Sequence, residues 1–136
     1  DVKSLTFPET LKFIGTYAFC GTKKSQQIVG YSGITSINIP DSVTSLGMGA
    51  FRYMMNVEHI VVGAGVDKIE DGTFVTSQSL KSITIKGNPE LWGTTMHPFG
   101  YDENGEIIKG LTVYTTKDSW RIIQYATREE WNIVYI

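Results

Sequence analysis

A glycine-containing stretch after a short apolar run is the first feature that could do chemistry. Residues 59–66 read His-Ile-Val-Val-Gly-Ala-Gly-Val, which provides the strand and the opening glycines of a dinucleotide-binding turn. Such a turn needs a third glycine where Lys68 stands, and a closely packed helix after it. Gly72 would weaken that helix, while Ile69 and Phe74 keep the spacing of a repeat. We therefore interpret the glycines as a turn between repeats.

An acidic stretch further along the chain has part of the pattern of a calcium-binding loop. Asp102, Asn104 and Glu106 alternate around Gly105. A full loop needs more oxygen ligands and a bidentate glutamate at its twelfth position, which this segment lacks. Asn-Gly between apolar residues is typical of a hairpin turn. We favour the hairpin, which runs from Tyr101 to Lys109.

Histidine and cysteine residues are too few for most catalytic or metal sites. Cys20 is the single cysteine, and His59 and His97 are the two histidines. One thiol and two distant imidazoles make neither a zinc ligand set nor a nucleophile–base pair. We interpret Cys20 as a packed or idle thiol, and we expect no enzymatic activity, no cofactor and no metal.

Composition excludes several further classes of function. The chain has 136 residues, 41% hydrophobic and 19% charged, with a net charge of −2. Scattered Lys and Arg residues form no basic stripe for nucleic acid, and no apolar run reaches the roughly 18 residues of a membrane-spanning helix. One cysteine excludes a disulfide framework within the domain. Because the chain starts at Asp1 without Met, we expect a fragment or a trimmed mature form.

A repeat with a period of 23 residues decides the fold. Ile37, Ile60 and Ile83 are equivalent positions of three copies, and an earlier copy containing Leu5 lies 32 residues upstream of Ile37. A period of this length predicts a solenoid, in which each unit buries its apolar face against its neighbours. In the copy 34–51, alternating residues predict a short strand.

Equivalent apolar residues should therefore stack in columns inside the solenoid. Gly47 is expected to relax the backbone before the small residue and the large phenylalanine that close the unit. The inward columns are Leu5, Ile37, Ile60, Ile83; Phe7, Ile39, Val62, Ile85; Leu11, Val43, Val66; Ile14, Leu46, Ile69; and Phe19, Phe51, Phe74, Phe99.

The repeat departs from its period in two regions and then gives way to a different pattern at the C-terminus. The distance from Ile85 to Phe99 is two residues longer than in the other copies, and residues 100–110 add about six more. A nine-residue insertion lies within Cys20–Gly33. Asp118 is predicted as the N-cap of a helix over 119–126 that exposes Arg121, Gln124 and Arg128. Thr127 and Glu130 have capping-box spacing, yet Trp131, Ile133 and Tyr135 alternate as in a strand. This helix and strand should cover the open end of the solenoid.

These patterns divide the chain into two parts. Residues 1–116 form the predicted solenoid, and residues 117–136 form the predicted helix–strand cap. The repeats, about four in number, span about 2–33, 34–56, 57–79 and 80–110, and a partial strand follows at 111–116.

Two segments resemble the BspA-type leucine-rich repeat. Residues 34–51, ITSINIPDSVTSLGMGAF, and residues 4–19, SLTFPETLKFIGTYAF, are similar to family units that read like LTSITIPDSVTSIGDYAF. The third copy has Gly-Ala-Gly where the family prefers Pro-Asp-Ser. The ending, LTVYTTKDSW before a helix, also resembles the usual close of such arrays. The resemblance implies a mostly β solenoid of the α/β leucine-rich-repeat class.

The resemblance also implies a place and a role for the protein. Family members are extracellular or cell-surface proteins, mostly of anaerobic bacteria, that act in binding or adhesion without catalysis. They share no catalytic residues, and their ligands differ between members. We therefore expect a secreted or surface-displayed binding domain whose ligand the family does not identify.

Ligand contacts are expected on the exposed strand face and in the inserted loops. The outward residues Asn38, His59, Val61, Thr84 and Tyr114 form the first candidate surface, and Tyr31 and the 101–109 hairpin are rival contacts. A protein partner, such as a host or matrix protein or another cell, is the first hypothesis.

Two other roles stay open. A carbohydrate-associated module of a larger glycan-processing protein would need an aromatic platform, for which Trp92, Tyr101 and Tyr114 are the candidates. A spacer that projects another domain is the other alternative. We expect a monomer, or a weak dimer through an unpaired strand edge.

Overall fold

Short strands separated by turns make up nearly all of the molecule. The structure is a computed structural model and describes residues 3–24, 27–29, 33–93 and 96–136, of which 23–24 and 27–29 are described by backbone alone. The elements are β1 Ser4–Thr6, β2 Phe13–Ile14, β3 Thr22–Lys24, β4 Gln27–Val29, β5 Ser36–Ile39, β6 Ser45–Leu46, β7 His59–Val62, β8 Lys68–Ile69, β9 Ser82–Ile85, β10 Glu90–Leu91, β11 Thr112–Thr115, α1 Trp120–Arg128 and β12 Asn132–Tyr135.

The main sheet is parallel and follows the repeat. Its strand order in the described residues is β1, β5, β7, β9, β11, β12. Leu5 pairs with Ile37, Ile37 with Ile60, and Ile60 with Ile83. The last three side chains are almost completely buried. The predicted inward column is therefore confirmed, with each strand in register with its neighbours.

Two-residue strands form a second set of ladders on the return side of each coil. β2 pairs with β6, so that Ile14 lies opposite Leu46. β8 pairs with β10, so that Ile69 lies opposite Leu91. The column predicted from Ile14 and Leu46 is thus formed, and Leu91 adds a partner for Ile69 that the sequence analysis did not identify.

Phenylalanine rings close each coil and stack on one another. The centroids of Phe19 and Phe51 lie 5.5 Å apart with the rings 5° from parallel, and those of Phe51 and Phe74 lie 5.5 Å apart at 6°. Backbone hydrogen bonds run alongside, because the Phe51 N–H donates to the Thr73 carbonyl. Phe99, the fourth member of the predicted column, is also fully buried.

Gly47 has a different role from the one predicted. Its φ is not in the left-handed region, whereas φ is +62° at Gly49. A Cβ atom on Gly47 would lie 2.2 Å from the backbone nitrogen of Thr16, so this glycine permits close approach of two coils. At the equivalent Gly15, a Cβ atom would meet nothing within 4 Å.

The predicted insertion contains a hairpin. β3 and β4 pair antiparallel, with Thr22 opposite Val29. Both strands lie within the stretch 20–33 that departs from the period. Tyr31, a predicted contact residue, lies outside the described residues.

The C-terminal helix begins later than predicted. Ser119, not Asp118, is the N-cap of α1. Ser119 is buried, and its hydroxyl donates to the Gly87 carbonyl over 2.6 Å, whereas Asp118 is exposed. The helix therefore begins after Ser119, the residue that is hydrogen-bonded to the preceding coil.

The capping-box spacing of Thr127 and Glu130 does not mark the start of a helix. Thr127 lies inside the last turn of α1, because the helix continues to Arg128. Glu130 has a φ of 61°, in the left-handed region, which ends the helical path. The strand predicted after it is present as β12, which pairs with β11.

Aromatic residues join the helix to the end of the core. The centroids of Phe99 and Tyr125 lie 5.0 Å apart, and those of Tyr125 and Trp131 lie 5.4 Å apart. The Trp131 indole N–H donates to the Ile108 carbonyl, and the Tyr125 hydroxyl donates to the Phe99 carbonyl. The helix and β12 thus pack over the C-terminal end of the stacked coils.

Candidate functional site

The outer face of the main sheet carries the first candidate surface. Strand register places Asn38, Val61, Thr84 and Tyr114 in one outward column. His59 stands in the neighbouring column with Ser36 and Ser82. The structure therefore brings together all five residues predicted for this face.

Hydrogen bonds link adjacent strands along this face. The Ser36 hydroxyl donates to the Ser4 hydroxyl over 2.9 Å. His59 Nδ1 lies 2.7 Å from the Ser82 hydroxyl oxygen, within hydrogen-bond distance. Side chains that are tied to their neighbours lose less freedom when a partner docks, so the face is suited to recognition without rearrangement.

Charge on this face is low and is confined to its border. Lys81 Nζ lies 3.0 Å from Glu58 Oε1, just before the strands begin. The hydrogen bond from Lys81, followed by its charge, holds the pKa of Glu58 below its ordinary value. Since the pair is exposed, we expect it to influence orientation more than affinity.

The glycine pair at residues 63–65 allows close stacking of coils. A Cβ atom on Gly63 would lie 2.5 Å from the Pro40 carbonyl carbon, and one on Gly65 would lie 2.1 Å from the Asp41 carbonyl oxygen. The Ala64 N–H between them donates to the Asp41 carboxylate over 2.8 Å. The turn faces protein backbone rather than a phosphate group, as the repeat interpretation predicts.

Asp102 is fully engaged within the protein. The backbone N–H groups of Asn104 and Glu106 each donate to its Oδ1 over 2.9 Å. The Gln78 amide donates to its Oδ2 over 2.9 Å. Burial acts to raise the pKa of Asp102, but these hydrogen bonds outweigh it and lower the pKa. The carboxylate stabilises the turn, and Gly105, with a φ of +75°, completes it.

Tyr101, a predicted contact residue, is half-buried and held on two sides. Its hydroxyl donates to Glu129 Oε2 over 2.6 Å. Its ring stacks on His97 with the centroids 3.5 Å apart, and it meets Trp131 edge-on. Burial first, and the Glu129 carboxylate second, raise the pKa of Tyr101 to about 12.

Trp92 lies beside a cleft on another side of the molecule. The cleft, about 680 Å³ in volume, lies between residues 90–93 and 97–98 on one side and α1 on the other. Its lining residues are Glu90, Leu91, Trp92, Gly93, His97, Pro98, Trp120, Arg121, Gln124, Tyr125 and Arg128. Tyr114 belongs to the main sheet, so Trp92 and Tyr114 lie on different surfaces.

The side of this cleft that α1 forms was not predicted from the sequence. Trp120, Gln124 and Arg128 are spaced four residues apart, so that they share one face of α1. Arg121, Gln124 and Arg128 were predicted to face solvent, whereas no prediction was made for Trp120. The opposite wall could not be predicted, because the segment 90–98 departs from the repeat that located every other coil.

The remaining reactive side chains are separate from one another. The Cys20 thiol donates to the Gly21 carbonyl over 3.0 Å. Its pKa is raised by burial, with Arg52 acting in the opposite direction. His59 pairs with Ser82, whereas His97 stacks on Tyr101.

The part of the chain that the structure describes contains neither a cluster of metal ligands nor a membrane-spanning helix. Within residues 3–24, 27–29, 33–93 and 96–136, no three His, Cys, Asp or Glu side chains are grouped so that they could hold a metal ion. Among the helices in those ranges, none has the length and apolar character to cross a membrane.

A family model for the BspA type leucine rich repeat region matches six copies within residues 1–96. No curated protein matches the chain, and no solved structure does. The 23-residue period predicts about four repeats, whereas the family model matches six copies. The two counts differ, and the number of repeats therefore remains a prediction. The matched region spans more than half of the 136 residues. The chain therefore belongs to the BspA-type leucine-rich repeat family, as the resemblance of residues 4–19 and 34–51 predicts.

Proposed function

We propose that this protein is a non-catalytic binding or adhesion domain that recognises a protein partner through the outer face of its main sheet. Leucine-rich repeat domains generally act as interaction modules, and this chain belongs to such a family. The partner would be a host or matrix protein or a protein of another cell. Because BspA-type repeats are typical of bacterial surface proteins, the proposed location is extracellular or on the cell surface.

The observation that supports this proposal is the register of the outward columns. Asn38 and His59 are exposed, and Val61, Thr84 and Tyr114 are half-buried. Uncharged polar groups and two larger side chains, His59 and Tyr114, thus form one continuous surface. Aromatic side chains at the centre of such surfaces often provide most of the binding free energy.

The size of the face limits the affinity that it can provide. Five inter-strand steps of about 4.8 Å and four residues of about 3.3 Å give a patch of roughly 300 Å². A stable interface covers roughly 800 Å² on each partner. The hairpin 101–109, which ends three residues before β11, is the rival contact predicted from the sequence. Even so, a single domain is expected to bind weakly, and joined copies to bind more tightly.

The C-terminal part has a supporting role in this proposal. We infer that residues 117–136 act as a terminal cap on a solenoid of residues 1–116. Tyr125 and Trp131 pack on Phe99 and close the apolar interior at that end. A cap of this kind keeps a repeat domain soluble and its binding face in register.

Biolayer interferometry against a panel of purified extracellular-matrix proteins tests the proposal. The double variant His59→Ala/Tyr114→Ala should weaken binding at least about tenfold, because it removes the two largest side chains of the face. Trp92→Ala, which changes an exposed aromatic residue on another surface, is the matched control and should bind as the unaltered protein does.

Two outcomes would overturn the proposal. One is an equal loss of binding in Trp92→Ala, which would move the contact away from the sheet. The other is the absence of binding to every panel member at about 0.1 mM, for a tandem fusion of two copies as well as for the single domain. Circular dichroism of each variant establishes that the fold is retained.

A further inference from the structure

The cleft that α1 forms with residues 90–93 and 97–98 has two exposed tryptophan rings at its edge. Trp92 is 52% exposed and Trp120 is 57% exposed, although tryptophan is highly buried on average in folded proteins. Each comes from a different wall, Trp92 from the end of β10 and Trp120 from the start of α1. Two large apolar rings are therefore offered to solvent across one concavity.

The protein holds both rings in place without a ligand. Lys68 Nζ lies 4.7 Å from the Trp92 ring centroid, and the Arg121 guanidinium carbon lies 4.6 Å from that of Trp120. The Trp92 indole N–H also donates to Glu90 Oε2 over 3.0 Å. Each indole thus has a cation on one face, and its remaining exposed surface is available for stacking. Ordered aromatic side chains cost less entropy when a ligand binds.

Hydrogen-bonding groups line the cleft together with the apolar groups. Gln124, Arg121, Arg128 and His97 line the cleft, and an adjoining hollow is reached through Glu90 and Arg121. Arg121 is itself anchored, because its guanidinium donates to the Asn88 carbonyl over 2.9 Å. A purely apolar ligand would leave these groups without water or partners, at a cost in binding free energy.

Charge inside the cleft is opposite in sign to that of the whole chain. The lining holds the guanidinium groups of Arg121 and Arg128 and one carboxylate, that of Glu90. Arg128 Nε lies 3.1 Å from Glu129 Oε1, so this guanidinium already has one carboxylate partner beside the cleft. The Glu90 carboxylate already accepts the Trp92 indole N–H. The whole chain, by contrast, has a net charge of −2. Guanidinium groups bind carboxylates with well-defined geometry.

We infer that this cleft binds a carbohydrate chain whose sugar units carry carboxylates. Pyranose rings present flat faces of C–H groups that stack on indole rings, and their hydroxyls match the polar groups of the lining. The carboxylates of uronic acid units would meet Arg121 and Arg128. This site is separate from the sheet face, so the inference does not depend on the proposed protein partner.

A glycan array followed by calorimetric titration tests the inference. The array contains neutral oligosaccharides and oligomers of uronic acids, and the titration uses the tightest-binding uronic acid oligomer and its methyl ester. We expect Trp92→Ala and Trp120→Ala each to weaken binding at least about tenfold. Arg128→Gln should weaken the acid form severalfold and leave binding of its methyl ester unchanged, since only the acid form carries the negative charge.

Matched controls separate this site from the sheet face. Phe13→Ala removes an exposed aromatic side chain that does not line the cleft, and Tyr114→Ala removes the aromatic residue of the outer face. Neither should change saccharide binding. A blank array would overturn the inference, as would equal binding of the acid and its ester or retained binding in both tryptophan variants.

Discussion

At the scale of single residues, the hydroxyl of Tyr101 shows how burial creates a dependence on pH. The ordinary pKa of a tyrosine is about 10, and burial together with Glu129 raises the pKa of Tyr101 to about 12. The neutral form is therefore favoured in the folded protein. Its contribution to stability is complete below about pH 10 and is lost as the pH rises through about 12.

Tyr101→Phe should reduce this loss of stability at alkaline pH. The unfolding free energy of the unaltered protein should fall more steeply between about pH 10 and about pH 12 than that of the variant. Urea unfolding at several pH values measures the difference. The pKa of Tyr125 is also raised by burial, but this group is present in both proteins and affects both curves.

The variant Glu129→Gln tests whether the Glu129 carboxylate contributes to the raised pKa of Tyr101. Removing the carboxylate should lower the pKa of Tyr101 while leaving the ring buried, so a phenolate absorbance titration should begin at lower pH. Identical titrations of Glu129→Gln and the unaltered protein would contradict the assignment of Glu129 as a contributor.

Sequence reasoning at this scale identified types of residue better than their surroundings. The period placed His59 and Tyr114 on the outer face because strands alternate, and register preserved that placement. It could not show that the Tyr101 hydroxyl donates to Glu129, because the two residues are 28 positions apart. Tyr101 also lies in the irregular part of the fourth copy, and Glu129 lies outside the repeats.

At the scale of elements, the start of α1 is decided by a contact with the preceding coil. Asp118 has the residue type preferred at an N-cap, yet Ser119 occupies that position and makes no side-chain capping bond. The Ser119 hydroxyl bonds instead to the Gly87 carbonyl and lies 2.9 Å from the Thr116 hydroxyl. Tertiary packing therefore overrides the local preference.

Ser119→Ala should destabilise the protein more than Asp118→Ala does. The first change leaves the carbonyl of the half-buried Gly87 without its donor, at a cost of about 1 kcal/mol. The second removes an exposed side chain and should cost less than about 0.5 kcal/mol. Urea denaturation of both variants measures the difference, and the reverse order would restore Asp118 as the capping residue.

Elements inside the repeat were predictable because each is specified several times. Ile37, Ile60 and Ile83 repeat the same alternation, so an error in one copy is corrected by the others. The two walls of the cleft occur once each, in the segment 90–98 and in α1. Without a second copy to compare, the sequence indicated a helix near residues 119–126 but not the surface that it faces.

At the scale of the whole molecule, the parallel sheet leaves β1 with a partner on one side only. In the described residues β1 pairs with β5 and stands at the edge of the sheet, while β12 occupies the opposite edge. The apolar side chains Leu5 and Phe7 are only half-buried at the β1 end. Exposed strand edges of this kind can pair with another chain.

Weak self-association through β1 is the expected consequence. Sedimentation velocity at increasing protein concentration should show a dimer at high concentration, and Thr6→Lys should abolish it by placing a charge on the edge. Thr84→Lys places the same charge in the same outward column of the interior strand β9 and should leave the dimer intact. Dissociation by both variants would assign the contact to the face of the sheet rather than to its edge.

Gly47 and Gly15 occupy equivalent places in successive coils, but only Gly47 is pressed against a neighbour. An added methyl group at Gly15 would cause no steric clash in the isolated molecule, because no atom lies within 4 Å of the position of its Cβ. The same methyl group would obstruct any coil laid on that end as closely as Gly47 lies on Thr16. Gly15→Ala should therefore weaken binding of a partner that stacks on the first coil and extends the solenoid. It should leave unchanged the binding of a partner that contacts the side of the solenoid.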